Sequence, residues 1–379
     1  MSAQALSMPR WMDLVLLPLW NLALALLVAG GVVLVIGQNP WEALQVLLKG
    51  ALGSPRGLGY TLYYTTTFIF TGLAVAVALH AGLFNIGGEG QAVLGGLVMG
   101  GVALWLSPHL PAALMLPLMV LAAAAGGMLW GAVPGYLQAW RGSHVVITTI
   151  MFNFLAAALN GYVLVNWLRP AGSMSVESAA FADSARMPAL HEMAAWLGLE
   201  WPSSPLNLSF VLALLLSVGV WWWLWRSRPG YELRAVGASP SAAHYAGMAP
   251  RQQTLLAMGL SGALAGMVAV NELAGVQGKL TLDFVAGAGF TGIAVALMGR
   301  NHPLGIGLAA LLFGVLYQGG VELSFEMPAF TRDMVVTVQG LIVLFAGAMA
   351  MVSAPLFARL YALCCRTRRG AAVQEAQHG

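Results

Sequence analysis

Residues 226–251 read RSRPGYELRAVGASPSAAHYAGMAPR, a polar island between two long apolar stretches. This island carries four arginines and one glutamate, whereas the whole chain is 59% hydrophobic and only 8% charged. An unpaired charge inside a membrane costs about 3 kcal/mol, so the island must leave the bilayer. At its centre, Ser241-Ala-Ala-His-Tyr-Ala-Gly247 predicts a short helix with a small, flat face that ends in a turn. A membrane protein that exposes such a helix most simply offers it to another protein.

The rest of the chain is dominated by apolar stretches. A helix needs about 20 apolar residues to cross the hydrocarbon core, and ten stretches are candidates. The eighth is short, and both the third and the eighth begin in glycine-rich sequence, so either could be broken or re-entrant. We therefore predict an all-α polytopic membrane protein with about ten transmembrane helices and two broken segments. The predicted spans are 14–36, 60–79, 87–106, 112–133, 145–165, 206–225, 254–274, 284–298, 304–321 and 334–352.

Charge predicts the orientation. An even number of spans places both termini on one side, and with the termini inside most arginines are cytoplasmic while most acidic residues are outside. This asymmetry follows the positive-inside rule and makes residues 226–251 cytoplasmic. The vicinal Cys364 and Cys365 beside a basic tail also indicate a reducing, cytosolic end. Residues 168–207 then form an outer loop, with a surface helix at 189–199.

A weak internal repeat relates two glycine-rich stretches, 82–96 and 286–299. Each enters a small-residue helix at the corresponding position of a half of the chain, and the two halves have opposite orientations in the predicted topology. Such paired interruptions in inverted repeats indicate a transport pathway. We divide the chain into three parts: residues 1–59, with the cytoplasmic N-terminal end, the first transmembrane helix and a periplasmic connection; a transmembrane core (60–354) that contains the loop 226–251; and a cytoplasmic basic tail (355–379).

The stretch from His80 to Gln91 is the first candidate site. Its glycines loosen the helix, while Asn85, Glu89 and Gln91 bring hydrogen-bonding groups to the break, whose backbone must be satisfied by protein, water or cargo. For Glu89 two interpretations remain open: a functional group at the break, or a solvated residue at a cytoplasmic helix end. We favour a functional role for the stretch as a whole.

Two further polar stretches, Asn271-Glu272 and the turn 299–303, are candidates for a functional role. Asn271-Glu272 lies near the outer end of the seventh span, where an intramembrane carboxylate is a functional hypothesis, although a wet residue at headgroup level is the favoured interpretation. Gln277, Lys279 or Asp283 could pair with Glu272. In the turn 299–303 we interpret His302 as solvated, because no second ligand stands at metal-binding spacing.

Several function classes are excluded. The sequence contains no G-x-x-x-x-G-K-[ST], H-E-x-x-H, G-x-S-x-G or C-x-x-C motif, so we predict no catalytic residues, no metal and no cofactor. It also has no basic run over an aromatic platform, which argues against nucleic-acid binding. If energy is consumed, another chain binds the nucleotide.

Three motifs carry a family resemblance: Phe84-Asn-Ile-Gly-Gly-Glu-Gly-Gln91, Gly230-Tyr-Glu-Leu-Arg-Ala-Val-Gly-Ala-Ser-Pro240 continuing through Tyr245-Ala-Gly247, and Gly292-Ile-Ala-Val-Ala-Leu-Met-Gly-Arg-Asn-His-Pro-Leu-Gly305. Over residues 60–350 the chain resembles permease subunits of bacterial ABC importers of the ribose, branched-chain amino acid and nucleoside type. It is most similar to the nucleoside branch, in the form of the larger of two non-identical permeases.

The resemblance implies that residues 226–251 dock on a cytoplasmic ABC ATPase. Ser241 stands where the family's E-A-A-x-x-x-G pattern has an acid, which puts an acid-specific contact in doubt but not the docking. The other implied partners are a second permease, an extracytoplasmic solute-binding protein and membrane lipid. The implied coupling residues are Gly237, Ala238, Ser239, Pro240, Ser241, Ala242, Ala243, Tyr245 and Gly247.

These observations together predict the permease subunit of an ATP-driven importer in the bacterial inner membrane, itself not an enzyme. The expected cargo is a nucleoside or a related sugar-containing solute that passes between the two glycine-rich stretches. The alternative is an ion-coupled secondary transporter of a small polar solute, which has no need for the flat helix in 226–251. The expected substrate-path residues are Phe84, Asn85, Glu89, Gln91, Gly289, Phe290 and Thr291.

Overall fold

The structure is a computed structural model that describes residues 16–344 except 197, 199, 332, 333 and 343, together with residues 12, 355 and 357. The described part of the chain is built from helices, which confirms the predicted fold class. It divides into two compact units, residues 1–47 with 320–379, and residues 48–319. The candidate site residues all lie in the second unit. The vicinal cysteines lie outside the described residues.

The described helices include long apolar helices and shorter ones that connect them. Helices α6 and α11 each continue into a π-helical turn, at Leu164–Leu168 and Val270–Gln277. The helices are α1 Leu17–Val35, α2 Pro40–Leu52, α3 Pro55–His80, α4 Gly88–Leu106, α5 Ala112–Arg141, α6 Val145–Val163, α7 Leu190–Trp196, α8 Ser209–Arg226, α9 Arg228–Ala238, α10 Pro240–Tyr245, α11 Pro250–Gly266, α12 Ala288–Met298 and α13 Pro303–Glu326.

Seven helices in the described part of the chain are long and apolar enough to cross a membrane: α3, α4, α5, α6, α8, α11 and α13. Helices α1 and α2 pass the same test only as a pair and are bent by 117°. The first predicted span, 14–36, is therefore followed by a second helix, α2, within the predicted connection before residue 60. The tenth, 334–352, extends beyond the described residues, and residues 334–342 of it are helical.

The eighth predicted span is a half-helix. Helix α12 has only 11 residues, and residues 278–287 before it are irregular. Gly278 accepts a hydrogen bond from the backbone N–H of Phe181 at 2.7 Å, in the loop 168–207. At the other end, the Asn301 carbonyl accepts from His80 Nε2 at 3.0 Å, where α3 ends. Residues 278–301 thus connect the two ends of the helix bundle, and only their second half is helical.

Glycines bring α4, α5 and α11 into close contact. A Cβ at Gly127 would lie 2.1 Å from the carbonyl oxygen of Gly262, and a Cβ at Gly266 would lie 2.2 Å from that of Ala123. Small residues allow such backbone approach, which in a membrane gains dispersion contacts that larger side chains would prevent. The glycines of α5 and α11 therefore serve close helix packing.

The two ends of the second unit differ in character. At one end, α8 and α9 pack on α3 around buried Ala78, Leu224 and Leu233. At the other end, the loop 168–207 contains the predicted surface helix, observed as α7, and is tied to residue 279. There the Lys279 Nζ lies 2.8 Å from Glu177 Oε1, and this hydrogen bond holds the pKa of Glu177 below its usual range.

Candidate functional site

Residues 81–87, the first broken segment, turn the chain back into the helix bundle after α3. Gly82 has φ +73°, and buried Asn85 then stabilises the break. Its Nδ2 donates to Gln91 Oε1 at 2.9 Å and to Ser261 Oγ at 2.8 Å, while its Oδ1 accepts from the Gly87 N–H at 2.8 Å. The amides of Asn85 and Gln91 are therefore engaged within the protein.

Asn153 on α6, which was not among the predicted site residues, also holds the first broken segment. Its Oδ1 accepts from the Gly90 N–H at 2.9 Å, and its Nδ2 donates to the Ile86 carbonyl at 3.0 Å. One side chain thus satisfies backbone groups on both sides of the break. The available signal was an amide in the middle of an apolar span, since polar residues inside membranes are rarely incidental.

Residues 278–287 form the second broken segment, and Glu89 connects it to the first. The backbone N–H groups of Gly287 and Gly289 donate to the two carboxylate oxygens of Glu89, each at 2.9 Å. Positive φ at Ala286 (48°) and Gly287 (80°) turns these N–H groups toward the carboxylate. The half-buried Glu89 carboxylate, in the first turn of α4, therefore caps the N-terminus of α12.

Helices α4 and α12, which begin directly after the two broken segments, contact each other at their first turns. A Cβ at Gly289 would lie 2.2 Å from the backbone nitrogen of Glu89, and Gly88 faces the Gly289 carbonyl. At this contact the backbones of Glu89 and Gly289 leave no space for a side chain between the two helices. The accessible side chains of the same stretches are Phe84, 37% exposed, and Phe290, 47% exposed. Half-buried Thr291 donates to the Gly287 carbonyl at 3.2 Å.

Glu272 lies in the π-helical turn that continues α11, and it is not a wet headgroup residue as favoured above. The Tyr63 hydroxyl donates to its carboxylate, and Thr67 Oγ1 does so at 2.7 Å. Neighbouring Asn271 bonds to Thr67 Oγ1 at 2.8 Å. The suggested pairing of Glu272 with Lys279 is also wrong, since Lys279 pairs with Glu177. π-Helical turns often occur at functional sites.

Helices α9 and α10 lie in the polar loop at residues 226–251. Ser239 caps α10, accepting from the Ala242 N–H at 3.4 Å, and Gly247 follows with φ +81°, so the predicted short helix and turn are confirmed. Tyr245 is 91% exposed. Ala243 is buried, so it does not belong to the exposed face. Gly237 and Ser239 are half-buried, and the exposed residues are Ala238, Pro240, Ser241, Ala242, Tyr245 and Gly247.

Gly237 connects this loop to the first broken segment. A Cβ at position 237 would lie 2.2 Å from the His80 carbonyl oxygen and 2.9 Å from the Gly82 nitrogen. The loop is braced on its other side by Glu232, which accepts from Gln253 Nε2 at 3.0 Å. A displacement of α9 and α10 therefore acts on the turn from which the first broken segment starts.

A cavity of about 860 Å³ opens at the end of the bundle opposite α9 and α10. The loop 168–207, the start of α3 and the end of the π-helical turn after α11 surround it. Side chains of both charge signs line it, together with an aromatic ring: Arg56, Tyr60, Asp183, Arg186 and Glu192.

Residues 57–347 match the family described as branched-chain amino acid transport system permease component. The glucose ABC transporter permease protein TsgB13 of Haloferax volcanii is 36% identical over 92% of this chain and 90% of its own length. The guanosine ABC transporter permease protein NupP of Bacillus subtilis is 36% identical over 88% and 93%. The nucleoside ABC transporter permease protein NupB of Lactococcus lactis is 34% identical over 84% and 85%. No solved structure matches this chain.

Proposed function

The chain belongs to the family of branched-chain amino acid transport system permease components, and from this premise we propose that it is the permease subunit of an ATP-driven nucleoside importer. The observation that carries the proposal is the loop α9–α10. It exposes a short capped helix at one end of the bundle and contacts the first broken segment through Gly237. Such a loop can receive a movement from a bound protein and pass it into the helix bundle.

The substrate class is inferred from the relatives and from the chemistry of the site. Two of the three similar permeases are named for guanosine or nucleosides, and one for glucose. An exposed aromatic ring near a hydroxyl group suits both the base and the sugar of a nucleoside. A free sugar can use the same groups, so the choice of a nucleoside rests on the names of the two similar permeases.

The proposed substrate path follows the accessible faces of the two broken segments. Phe84, Phe290 and Thr291 are its contact residues, because their side chains are at least partly accessible. Asn85, Glu89, Gln91 and Gly289 belong to the path as residues that shape it. Their polar groups and backbones are already occupied by the protein, so they define the position of the contact residues.

The proposed assembly has a partner at each end. A cytoplasmic ABC ATPase binds the exposed face of α9 and α10 and supplies ATP hydrolysis. An extracytoplasmic solute-binding protein faces the cavity at the opposite end, and a second, non-identical permease completes the path. The complex lies in a bacterial inner membrane, with both termini cytoplasmic.

Copurification tests the proposal. The chain, expressed with its genomic neighbours, should copurify with an ATPase and a second permease. Ala242→Arg, on the exposed face of α10, should abolish ATPase binding and nucleoside uptake while membrane insertion is unchanged. Ala171→Arg is the matched control, since Ala171 is an equally exposed alanine in the loop 168–207.

The outcomes separate the proposal from the alternative class. Uptake that persists without ATP and collapses with the proton or sodium gradient would replace the importer by a secondary transporter. Retained ATPase binding in Ala242→Arg, with normal uptake, would show that α10 is not the docking helix.

A further inference from the structure

We propose that Glu89, Asn153 and Asn160 are positioning residues that join the two broken segments and α6 into one unit, which moves as a whole during transport. The inference rests on the proposed function, because its measurements use the assembled transporter, vanadate trapping and uptake. Its structural core is a set of hydrogen bonds that connects three elements pairwise: α6 to the first segment, the first segment to the second, and the second segment back to α6.

Helix α6 contributes two asparagines that are seven residues apart. Asn153 holds Ile86 and Gly90 at the first broken segment. Asn160 Nδ2 donates to the carbonyls of Thr281 at 3.3 Å and Leu282 at 3.1 Å, in the second. Seven residues are nearly two helical turns, so the two amides project from the same face of α6, about 10 Å apart along its axis.

Glu89 supplies the third connection. Its carboxylate belongs to the first turn of α4, immediately after the first broken segment, and caps the N-terminus of α12 through Gly287 and Gly289. The N-termini of α4 and α12 thus lie next to the same negative charge, which stabilises both helix dipoles. The close approach of Gly289 to the Glu89 backbone excludes any side chain from the contact.

The membrane makes these bonds hard to exchange. Outside a water-filled cavity, a backbone N–H or C=O that loses its partner in the bilayer stays unsatisfied. Opening a gap between the segments would strand the N–H groups of Gly287 and Gly289 and the carboxylate at the same time. The low-cost movement is therefore a joint displacement of both segments with α6, and the substrate passes along this unit.

Distance measurements on the assembled transporter test the proposal directly. Spin labels are placed at exposed Val98 on α4 and Leu297 on α12, after Cys364 and Cys365 are replaced by serine. The distance distribution is measured by pulsed electron spin resonance, nucleotide-free and after trapping with vanadate, on samples shown to hydrolyse ATP. One unchanged, narrow distribution is expected in both states, and the pair Phe154 and Leu297 should behave in the same way. A shifted or split distribution on trapping would overturn the proposal.

Variants identify the residues responsible. Glu89→Leu should broaden the Val98–Leu297 distance distribution. It should also reduce uptake about tenfold or more, which corresponds to the free energy of at least one charge-assisted hydrogen bond. ATPase binding should be unchanged. Glu89→Gln keeps one acceptor oxygen and should restore part of both the narrow distribution and the uptake. Asn153→Leu should likewise lower uptake. Asn166→Leu is the control in the π-helical turn that continues α6, because exposed Asn166 donates to the Tyr162 carbonyl, four residues before it in the chain.

The results distinguish failure of this inference from failure of the proposed function. A narrow distribution with normal uptake in Glu89→Leu would remove Glu89 as a positioning residue. If Glu89→Leu does not accumulate in the membrane, the wild-type distances and Glu89→Gln still decide. If the wild-type complex takes up no nucleoside but the distances behave as expected, the rigid unit stands and the substrate assignment falls.

Discussion

Replacing Gly237 with alanine should uncouple ATP hydrolysis from transport. The added Cβ would lie 2.2 Å from the His80 carbonyl oxygen, 2.8 Å from the Ala81 carbonyl carbon and 2.9 Å from the Gly82 nitrogen. Ordinary contact begins at 3.4 Å, so α9 and the turn at residues 80–82 must separate by about 1 Å at van der Waals distances. All three neighbours are backbone atoms, so no change of rotamer can relieve the clash.

The expected size of the effect follows from this overlap. Overpacking of a tight contact costs about 1–3 kcal/mol, and a coupling free energy of that size corresponds to about 5–150-fold. We therefore expect the number of nucleosides transported per ATP to fall within that range. ATPase binding should persist, because the exposed face of α10 is unaltered.

The assay is uptake and ATP hydrolysis measured on the same proteoliposomes that contain the complete transporter. Gly219→Ala on α8 is the matched control, since a Cβ there has no neighbour within 4 Å. A thermal unfolding scan of both variants separates uncoupling from misfolding. A Gly237→Ala transporter with the wild-type ratio of uptake to hydrolysis would refute the transmission through this contact.

Three further predictions concern the packing of α5 against α11, the half-buried carboxylate of Glu272 and the orientation of the chain in the membrane. Gly262→Ala should destabilise the protein by about 1–3 kcal/mol, because the added Cβ would lie 2.1 Å from the Gly127 carbonyl oxygen. Its unfolding temperature should be lower than that of the control Gly101→Ala, where the added Cβ has open space. Equal unfolding temperatures would contradict the close packing of α5 and α11. Glu272→Leu should leave the hydroxyls of Tyr63 and Thr67 without their acceptor and lower the free energy of unfolding by about 1–3 kcal/mol. Glu272→Gln should retain most of the stability. A Glu272→Leu protein as stable as the wild type would show that this cluster is dispensable. Met174→Cys, at a position that is 100% exposed, should react with impermeant maleimide from outside intact cells, and a reporter fused after Gly379 should remain inaccessible; the reverse pattern would invert the topology.

The helices themselves could be predicted because apolar length is a direct physical requirement of the bilayer. The spans that became α3, α4, α5, α6, α8 and α11 agree with the structure within a few residues at most ends. The bend between α1 and α2 escaped prediction, because α2 carries Glu42 and Lys49 within 13 residues and so resembles a polar connection. The eighth span was expected to be short, and its half-helical form follows from Ala286 and Gly287, whose positive φ values ended any regular helix before residue 288.

The position of the candidate site could be predicted from the sequence, but the hydrogen-bond partners of its residues could not. Glycines and amides at 84–91 marked the break correctly, because such residues disfavour a continuous helix. The partners of these residues lie far along the chain: Asn85 bonds to Ser261, and Glu89 bonds to Gly287 and Gly289. Nothing local in the sequence reveals which of two polar groups at a helix break will face cargo and which will face the protein. Ala243 shows the same limit on α10, where a helix of six residues is too short for its periodicity to identify the buried side.

ATP-dependent uptake by the complete, purified transporter tests the central claim most directly. Proteoliposomes that contain this chain, the second permease and the ATPase are supplied with the solute-binding protein outside, ATP inside and a radiolabelled nucleoside. We predict accumulation of the nucleoside that requires ATP, that is lost with Ala242→Arg, and that excess glucose does not reduce. Accumulation without ATP, or labelled uptake that glucose blocks and unlabelled nucleosides do not, would contradict the account.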